Sequence, residues 1–436
     1  MIMTDQDHDG SHIKGLVMNV FHVLWPSLLE LNYITCMLTP IIKATHKKTN
    51  KSFYTITDYE KWKDSNDAKK WNIKYYKGLG TSSSEEAREY FKDIKINNYH
   101  MTKTTTESMS LAFDKNYSDS RKKWLYKYDK NMILDHKKKN VSIDDFVNKE
   151  LIHFSNNDTE RSIGSVFDGL KPSQRKILYS CLKRNLYKEI RVAQLAGYVS
   201  EKSAYHHGEA SLQGAIIAMA QNFVGANNIN LLMPNGQFGT RIMGGSDAAS
   251  PRYIHTELNK IVDTLFPPID SDLLAHNYDD GVQVEPIYYL PIIPMVLVNG
   301  MVGIGTGFST SVPQFSPRDI IDNIINKLNN KPYTAITPHY NNFTGTILQI
   351  DEYNYMSKGV YNIIDEETIE ITELPIGRWI DDYKKFLDSL LNDEKKIITD
   401  YVNNSSDHRV HFLIKIDKHK LLSLQWSENN NIDGIE

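Results

Sequence analysis

Two arginines and a tyrosine share one glycine-rich stretch, Asn235-Gly-Gln-Phe-Gly-Thr-Arg241-Ile-Met-Gly-Gly-Ser-Asp-Ala-Ala-Ser250-Pro-Arg252-Tyr253-Ile-His255. The glycines and small residues make it a loop whose backbone can approach a ligand closely. Ser250-Pro251 suits the cap and first position of a helix, and Ile254, Leu258 and Ile261 follow at helical spacing. This predicts a helix from Pro251, with Tyr253 in its first turn beside free backbone N–H groups. A helix start flanked by Arg241 and Arg252 is an anion site. A phenol held there can attack phosphorus, because cations favour the phenolate and stabilise the charge of phosphoryl transfer. Taken alone, the stretch also fits a tyrosine that only packs or faces solvent.

A second group of chemical residues opens the chain. Asp5, Asp7 and Asp9 alternate in Asp-Gln-Asp-His-Asp-Gly10, after a predicted short strand Ile2-Met-Thr4 and before an apolar helical run from Ile13 to Leu24. Three carboxylates on one turn are hard oxygen donors suited to Mg²⁺. An EF-hand would need a glutamate at the twelfth position of the loop, where Leu16 stands. The competing reading is a solvated acidic turn.

Further residues are weaker alone. Lys77 with Gly78 and Gly80 can hold a phosphate but lacks the P-loop pattern. Lys171, Arg175 and Lys176 cluster where a helix is predicted to start at Pro172, and they can meet DNA phosphates. His206 and His207 open the second of two helices joined by a glycine turn, compatible with a helix-turn-helix. Their spacing does not make one helical metal face, so they read as phosphate-directed donors or as structural histidines. Gly300-Met-Val-Gly-Ile304-Gly-Thr-Gly307 lacks the third glycine of a dinucleotide loop, because Phe308 takes that place. It reads either as a tip presenting Ile304 as a wedge between base steps or as a loop with Ile304 buried.

The elements that must position these groups occupy 436 residues, 40% hydrophobic and 24% charged, enough for two to four globular domains. A net charge of -4 excludes a global basic field, so a nucleic-acid partner needs local basic patches. Cys36 and Cys181 are the only cysteines, which excludes a disulfide framework and a Cys-built zinc site and fits a reducing compartment. The most apolar run, Tyr288 to Ile304, is broken by Pro291, Pro294 and Asn299 and is no membrane span. The chain begins within a predicted strand, as a fragment would.

In chain order, Tyr33 to Thr45 alternates like a strand, and Ser84 to Phe91 is helical with acids in its first turn. Lys103 to about Val147 is polar and of mixed charge, a solvated connector with helical pieces. Ser316 to Lys331 reads as a helix, and Asp381 to Leu391 as another. Strands are predicted at Thr346–Ile350, Gly359–Ile364, Thr368–Thr372 and Val410–Lys415.

Several motifs follow one another in a familiar order: Ile2-Met-Thr-Asp-Gln-Asp-His-Asp-Gly-Ser-His-Ile-Lys-Gly15, Tyr76-Lys-Gly-Leu-Gly-Thr81, Asp168-Gly-Leu-Lys-Pro172, Tyr205-His-His-Gly-Glu209, Gly239-Thr-Arg241, Pro251-Arg-Tyr253 and Gly303-Ile-Gly-Thr-Gly307. Together, over nearly the whole chain, they resemble the DNA cleavage and religation core of eukaryotic-type DNA topoisomerase II. The resemblance implies an α+β multidomain chain: residues 1–115 as the C-terminal part of an α/β TOPRIM domain, 116–150 as a charged connector, 151–290 as a winged-helix DNA-cleavage domain, and 291–436 as a truncated α/β tower domain. It implies Tyr253 as the nucleophile, assisted by Arg252 and His207, with Asp5, Asp7 and Asp9 as Mg²⁺ ligands. Lys77, Lys171, Arg175, Lys176, His206, Arg241 and Ile304 are implied on DNA, with Ile304 as the bending wedge. It further implies a transient 5′-phosphotyrosyl double-strand break, a nuclear homodimer acting on double-stranded DNA, and use of ATP by the full-length enzyme. The sequence departs from the pattern in lacking the upstream Glu-Gly-Asp motif, the ATPase domain and the coiled-coil gate. His8 and Met301-Val302 replace the expected Gln or Asn and Ala-Glu, and the isolated chain is expected to be weak or inactive in cleavage.

Overall fold

The computed structural model describes residues 1–47, 49–65, 70–76, 80, 82–136, 138–279, 281–393 and 397–419. The chain divides into two compact units, residues 1–163 with 303–310, and residues 164–302 with those from 311 onward.

In the first unit, helix α1 (His8–Leu24) starts earlier than its apolar run, because the Asp7 side chain caps it by accepting from the Gly10 N–H at 2.7 Å. Its buried face is Ser11, Lys14, Gly15 and Met18, a helical repeat. A three-stranded sheet, ordered Thr35–Met37, Ile96–His100, Asn140–Ser142, carries Tyr99 into the core against Phe146. The predicted strand at Ile2–Thr4 shrinks to a single bridge between Ile2 and Cys36. The run from Tyr33 to Thr45 is not one strand. Pro40 lies in a break between Thr35–Met37 and Ile42–His46, and the two pieces join different sheets.

The expectation of a solvated connector after Lys103 is overturned. That stretch forms helices Thr105–Phe113 and Ser118–Leu125 and the strand Asn140–Ser142. It buries Met109, Trp124, Leu125, Leu134, Val141, Ile143 and Phe146 in the core of the unit. Its polar residues cover the outside and hid a sparse apolar pattern. A π-helical turn, Val147–Leu151, then leads into helix α2 (Ile152–Ser162).

The second unit begins with helices α3 (Pro172–Arg184), α4 (Val192–Ser203) and α5 (Glu209–Ala220), packed round Ile177, Leu178, Leu195, Val199, Leu212 and Ile216. An antiparallel hairpin, His276–Asp279 with Val282–Pro286, completes this core. Beyond it lies a four-stranded antiparallel sheet, ordered Val360–Ile363, Thr368–Glu373, Phe412–Ile416, Ile398–Asn403. Helix α6 (Ile380–Asn392) covers this sheet with Ile380 and Leu387 against Phe412 and Ile414. Cys36 and Cys181 are both buried, and burial pushes each thiol up to about 12, so neither is a nucleophile. Among the described residues no helix is long and apolar enough to cross a membrane.

Candidate functional site

No helix starts at Pro251. Residues 251–253 form a turn, with the Tyr253 N–H donating to the Ser250 carbonyl at 2.9 Å, and the short strand His255–Thr256 follows. Ile254, Thr256 and Leu258 are buried in alternation. The spacing of Ile254 and Leu258 fits a period of two as well as a helix turn, which is why the sequence misled. Ile261, the residue that would have decided for a helix, lies exposed.

A helix start still serves the tyrosine, from elsewhere in the chain. The Val192 and Ala193 N–H groups at the beginning of α4 donate to the carbonyls of Ile254 (3.1 Å) and Pro251 (3.0 Å). Asn235 and His255 exchange N–H to carbonyl bonds at 3.1 and 3.0 Å. Strand Ile190–Arg191 pairs with His255–Thr256. The main chain on each side of Arg252 and Tyr253 is therefore pinned, while the Tyr253 side chain is 77% exposed. Arg252 is exposed too and makes no ion pair among the described residues.

Three of the predicted DNA contacts are corrected. Arg175 is buried and turned inward, donating from Nε (2.7 Å) and Nη2 (3.0 Å) to Asp168, which also accepts from the Leu170 and Tyr289 N–H groups. Arg241 is 4% exposed and ion-paired with Glu373, which also accepts from Thr344 and Leu374. Lys176 is held by Glu285 at 2.8 Å and the Ser203 carbonyl at 2.6 Å. A cation whose donors are spent on buried carboxylates cannot also neutralise phosphate. Lys171 stands just before α3, its own N–H donating to Gln174, and its ammonium makes no ion pair among the described residues. His206 is held through Nε2 by Asp279 at 2.6 Å, and the exposed His207 ring lies edge-on to Tyr205, with ring centres 5.5 Å apart. Lys77 lies outside the described residues.

The acidic turn belongs to the first unit. Gly10 sits so close to Asp5 that a Cβ would lie 2.0 Å from the Asp5 carbonyl oxygen, so only glycine lets the turn close. Asp7 spends Oδ1 on the cap and leaves Oδ2 uncommitted among the described residues. Asp9 is paired with Arg161, whose Nη1 lies 2.9 Å from Oδ1 and 3.2 Å from Oδ2. Among the described residues no three His, Cys, Asp or Glu side chains converge as a metal cage would require. The donor chemistry of Asp5 and Asp7 fits a hard divalent cation, whereas Asp9 is already neutralised by Arg161.

Behind this turn, Ser11 (2.8 Å) and Lys14 (2.7 Å) both donate to Glu150 Oε1. Burial alone would raise the Glu150 pKa, but Lys14, His136 and the hydrogen bonds outweigh it and hold it below the usual value. Glu150 and Arg161 were not singled out from the sequence, and no spacing rule links either to the aspartates.

The glycine-rich tip is a hairpin, Met301–Ile304 with Ser309–Val312. A Cβ on Gly303 would lie 2.2 Å from the Ser162 carbonyl oxygen, and one on Gly305 would lie 2.8 Å from Thr159 Cα. Thr306 is tied to α2 by its hydroxyl to Asp158 (2.9 Å) and by its carbonyl to the Thr159 hydroxyl (3.2 Å). Alternate residues thus press on α2, and Ile304 between them is 81% exposed, which removes the buried-loop alternative.

Comparison with known proteins agrees with this geometry. Residues 37–159 match the family described as the C-terminal associated domain of TOPRIM, and residues 161–431 match the DNA gyrase/topoisomerase IV family. The DNA topoisomerase 2 of Plasmodium falciparum is 49% identical over 100% of this chain and 31% of its own length. Human DNA topoisomerase 2-alpha is 47% identical over 97% of this chain and 29% of its own. The solved DNA-binding, cleavage and re-ligation domain of Plasmodium falciparum topoisomerase II superimposes with a TM-score of 0.79 at 49% identity, over 99% of this chain and 59% of that one. This chain spans about a third of the length of the curated relatives it matches. The ordered motifs, the pinned tyrosine turn and the domain matches lead to one statement: the chain belongs to the DNA gyrase/topoisomerase IV family, on its eukaryotic DNA topoisomerase 2 side.

Proposed function

We propose that this chain is the part of a type II DNA topoisomerase that binds, breaks and rejoins duplex DNA, with Tyr253 as the nucleophile. The observation that carries the reading is the exposed tyrosine on a main chain pinned at Pro251 and Ile254, next to an arginine with no ion pair among the described residues. The Tyr253 oxygen bonds to a backbone phosphorus while the bond from that phosphorus to the 3′-oxygen breaks. The tyrosine proton leaves to solvent or His207, and the 3′-oxygen takes up a proton. The product is a 5′-phosphotyrosyl end, and the reverse step reseals the strand. Arg252, and Lys171 from the start of α3, stabilise the phosphoryl charge. Mg²⁺, when held by Asp5 and Asp7, supplies Lewis-acid stabilisation of the leaving 3′-oxygen. Ile304 enters a base step and bends the duplex.

The full-length protein would act as a homodimer, with the tyrosine of one protomer working beside the acidic turn of the other. ATP would drive strand passage, and the nucleus is the expected location, although a similar Dictyostelium discoideum protein is named mitochondrial. A catalytically silent DNA-binding scaffold is the alternative. Tyr253→Phe in the full-length protein separates the two. Detergent trapping with plasmid and Mg²⁺ should give a covalent adduct for the native protein and none for the variant, with DNA binding kept. Adduct formed by the variant would refute the assignment.

A further inference from the structure

The acidic turn is the start of α1, so whatever holds α1 holds the aspartates. We infer that Glu150 is a positioning residue for that turn, fixing it through Ser11 and Lys14. The inference rests on reading Asp5 and Asp7 as cation ligands.

Ser11 and Lys14 are three residues apart and so lie one above the other on the same helix face. Both donate to one oxygen of Glu150, at 2.8 and 2.7 Å. Lys14 is 1% exposed and lies over the Phe146 ring at 5.7 Å. The other carboxylate oxygen, Oε2, is buried with no hydrogen-bond partner, as is the Tyr99 hydroxyl. Among the described residues, every hydrogen bond to the Glu150 side chain therefore comes from α1.

Glu150 projects from the π-helical turn Val147–Leu151. Such a turn holds one residue more than an α-helical turn and re-aims the side chains within it, and it is commonly kept at functional sites. Next to it the two elements touch at their closest. A Cβ on Gly15 would lie 2.9 Å from the Phe113 ring and 3.4 Å from Leu151. The π turn and Gly15 together bring Glu150 under the first two turns of α1.

An apolar pair of the same size would fill this space with at least equal stability, because burying charges is costly. What the charged arrangement adds is direction. Asp7 is both the cap of α1 and a proposed ligand, and a carboxylate drawn to a cation gives up some of its hold on the Gly10 N–H. Glu150 keeps the turn wound while Asp7 is shared. This is how outer residues that orient metal ligands act.

The test uses the full-length protein with Mn²⁺ as the probe, its binding followed by electron paramagnetic resonance and the amides of residues 10–13 by hydrogen exchange. Glu150→Gln should weaken Mn²⁺ binding about tenfold, the size usual for residues that orient metal ligands, and speed exchange at those amides by a similar factor. Lys14→Arg keeps the charge and should stay within about threefold of native, one hydrogen bond's worth. If Glu150→Gln does not fold, Ser11→Ala removes a single bond and should weaken Mn²⁺ about threefold. Native Mn²⁺ affinity in a folded Glu150→Gln, or in Ser11→Ala where that variant decides, overturns the inference. Asp5→Asn is the separate control. If it leaves Mn²⁺ binding unchanged, the cation reading itself fails, whatever Glu150 does.

Discussion

Arg241 and Arg252 carry the same charge in the same loop, yet their removal should have opposite effects. Arg241→Ala leaves the Glu373 carboxylate buried with only Thr344 and Leu374 as donors. Breaking a buried pair from one side costs about 3–5 kcal/mol. For a unit of this size each kcal/mol lowers the melting temperature by about 2–4 °C, so the second unit should melt about 6–20 °C lower. Below that temperature its DNA affinity should keep its native salt dependence, since Arg241 meets no phosphate. Arg252→Ala touches nothing buried and should leave the melting temperature within about 1 °C, as surface changes do. Its plot of log affinity against log salt should flatten by about 0.9, one phosphate's share of released counterions. Duplex titrations from low to moderate salt, with calorimetric melting of each variant, test both halves. A flattened salt slope for Arg241→Ala without loss of stability would refute the assignment of Arg241 to the interior.

Ile304→Ala should reduce DNA bending, read by fluorescence transfer between duplex ends, more than it reduces binding, and unchanged bending would remove the wedge role. Gly305→Ala forces a Cβ against the Thr159 main chain and should loosen the tip at a cost of about 1–3 kcal/mol, with bending reduced although Ile304 is intact. Asp5→Asn should reduce cleavage more than Asp9→Asn, because Asp9 is already paired with Arg161. Equal losses at one Mg²⁺ concentration would put Asp9 back among the ligands. Glu150 is held below its ordinary pKa, so its stabilisation is complete above an unfolded value near 4.5 and is lost as pH falls through the lower folded value. Glu150→Gln should therefore flatten the acid side of the stability curve, and an unaltered acid limb in pH-dependent urea titrations would contradict that.

Much of the architecture was legible because it rests on local signals. The helix start at Pro172, the capped helix from Ser84 and the strands beyond Gly345 each announce themselves by period and turn chemistry. The errors share a cause in tertiary context. Ile254 and Leu258 satisfy two periods at once, and only the pairing with Asn235 and Ile190 selects the strand. Arg175 and Arg241 look like phosphate contacts because sequence shows charge but not the carboxylates, Asp168 and Glu373, that consume it. Glu150 was hidden for the same reason, since its partners lie far along the chain.

The anchoring of Pro251 and Ile254 on the start of α4 bears on reversibility. With the main chain fixed on both sides, the soft coordinates left to Tyr253 are its two side-chain torsions. Breaking and resealing then follow nearly the same path, with little conformational entropy to recover at either end. A nucleophile mounted on a mobile loop could drift once linked to DNA, and the return step would have to wait for a search. Here the severed end remains where it was made, so the lifetime of the break is set by the movement of DNA and domains rather than by the tyrosine finding its way back.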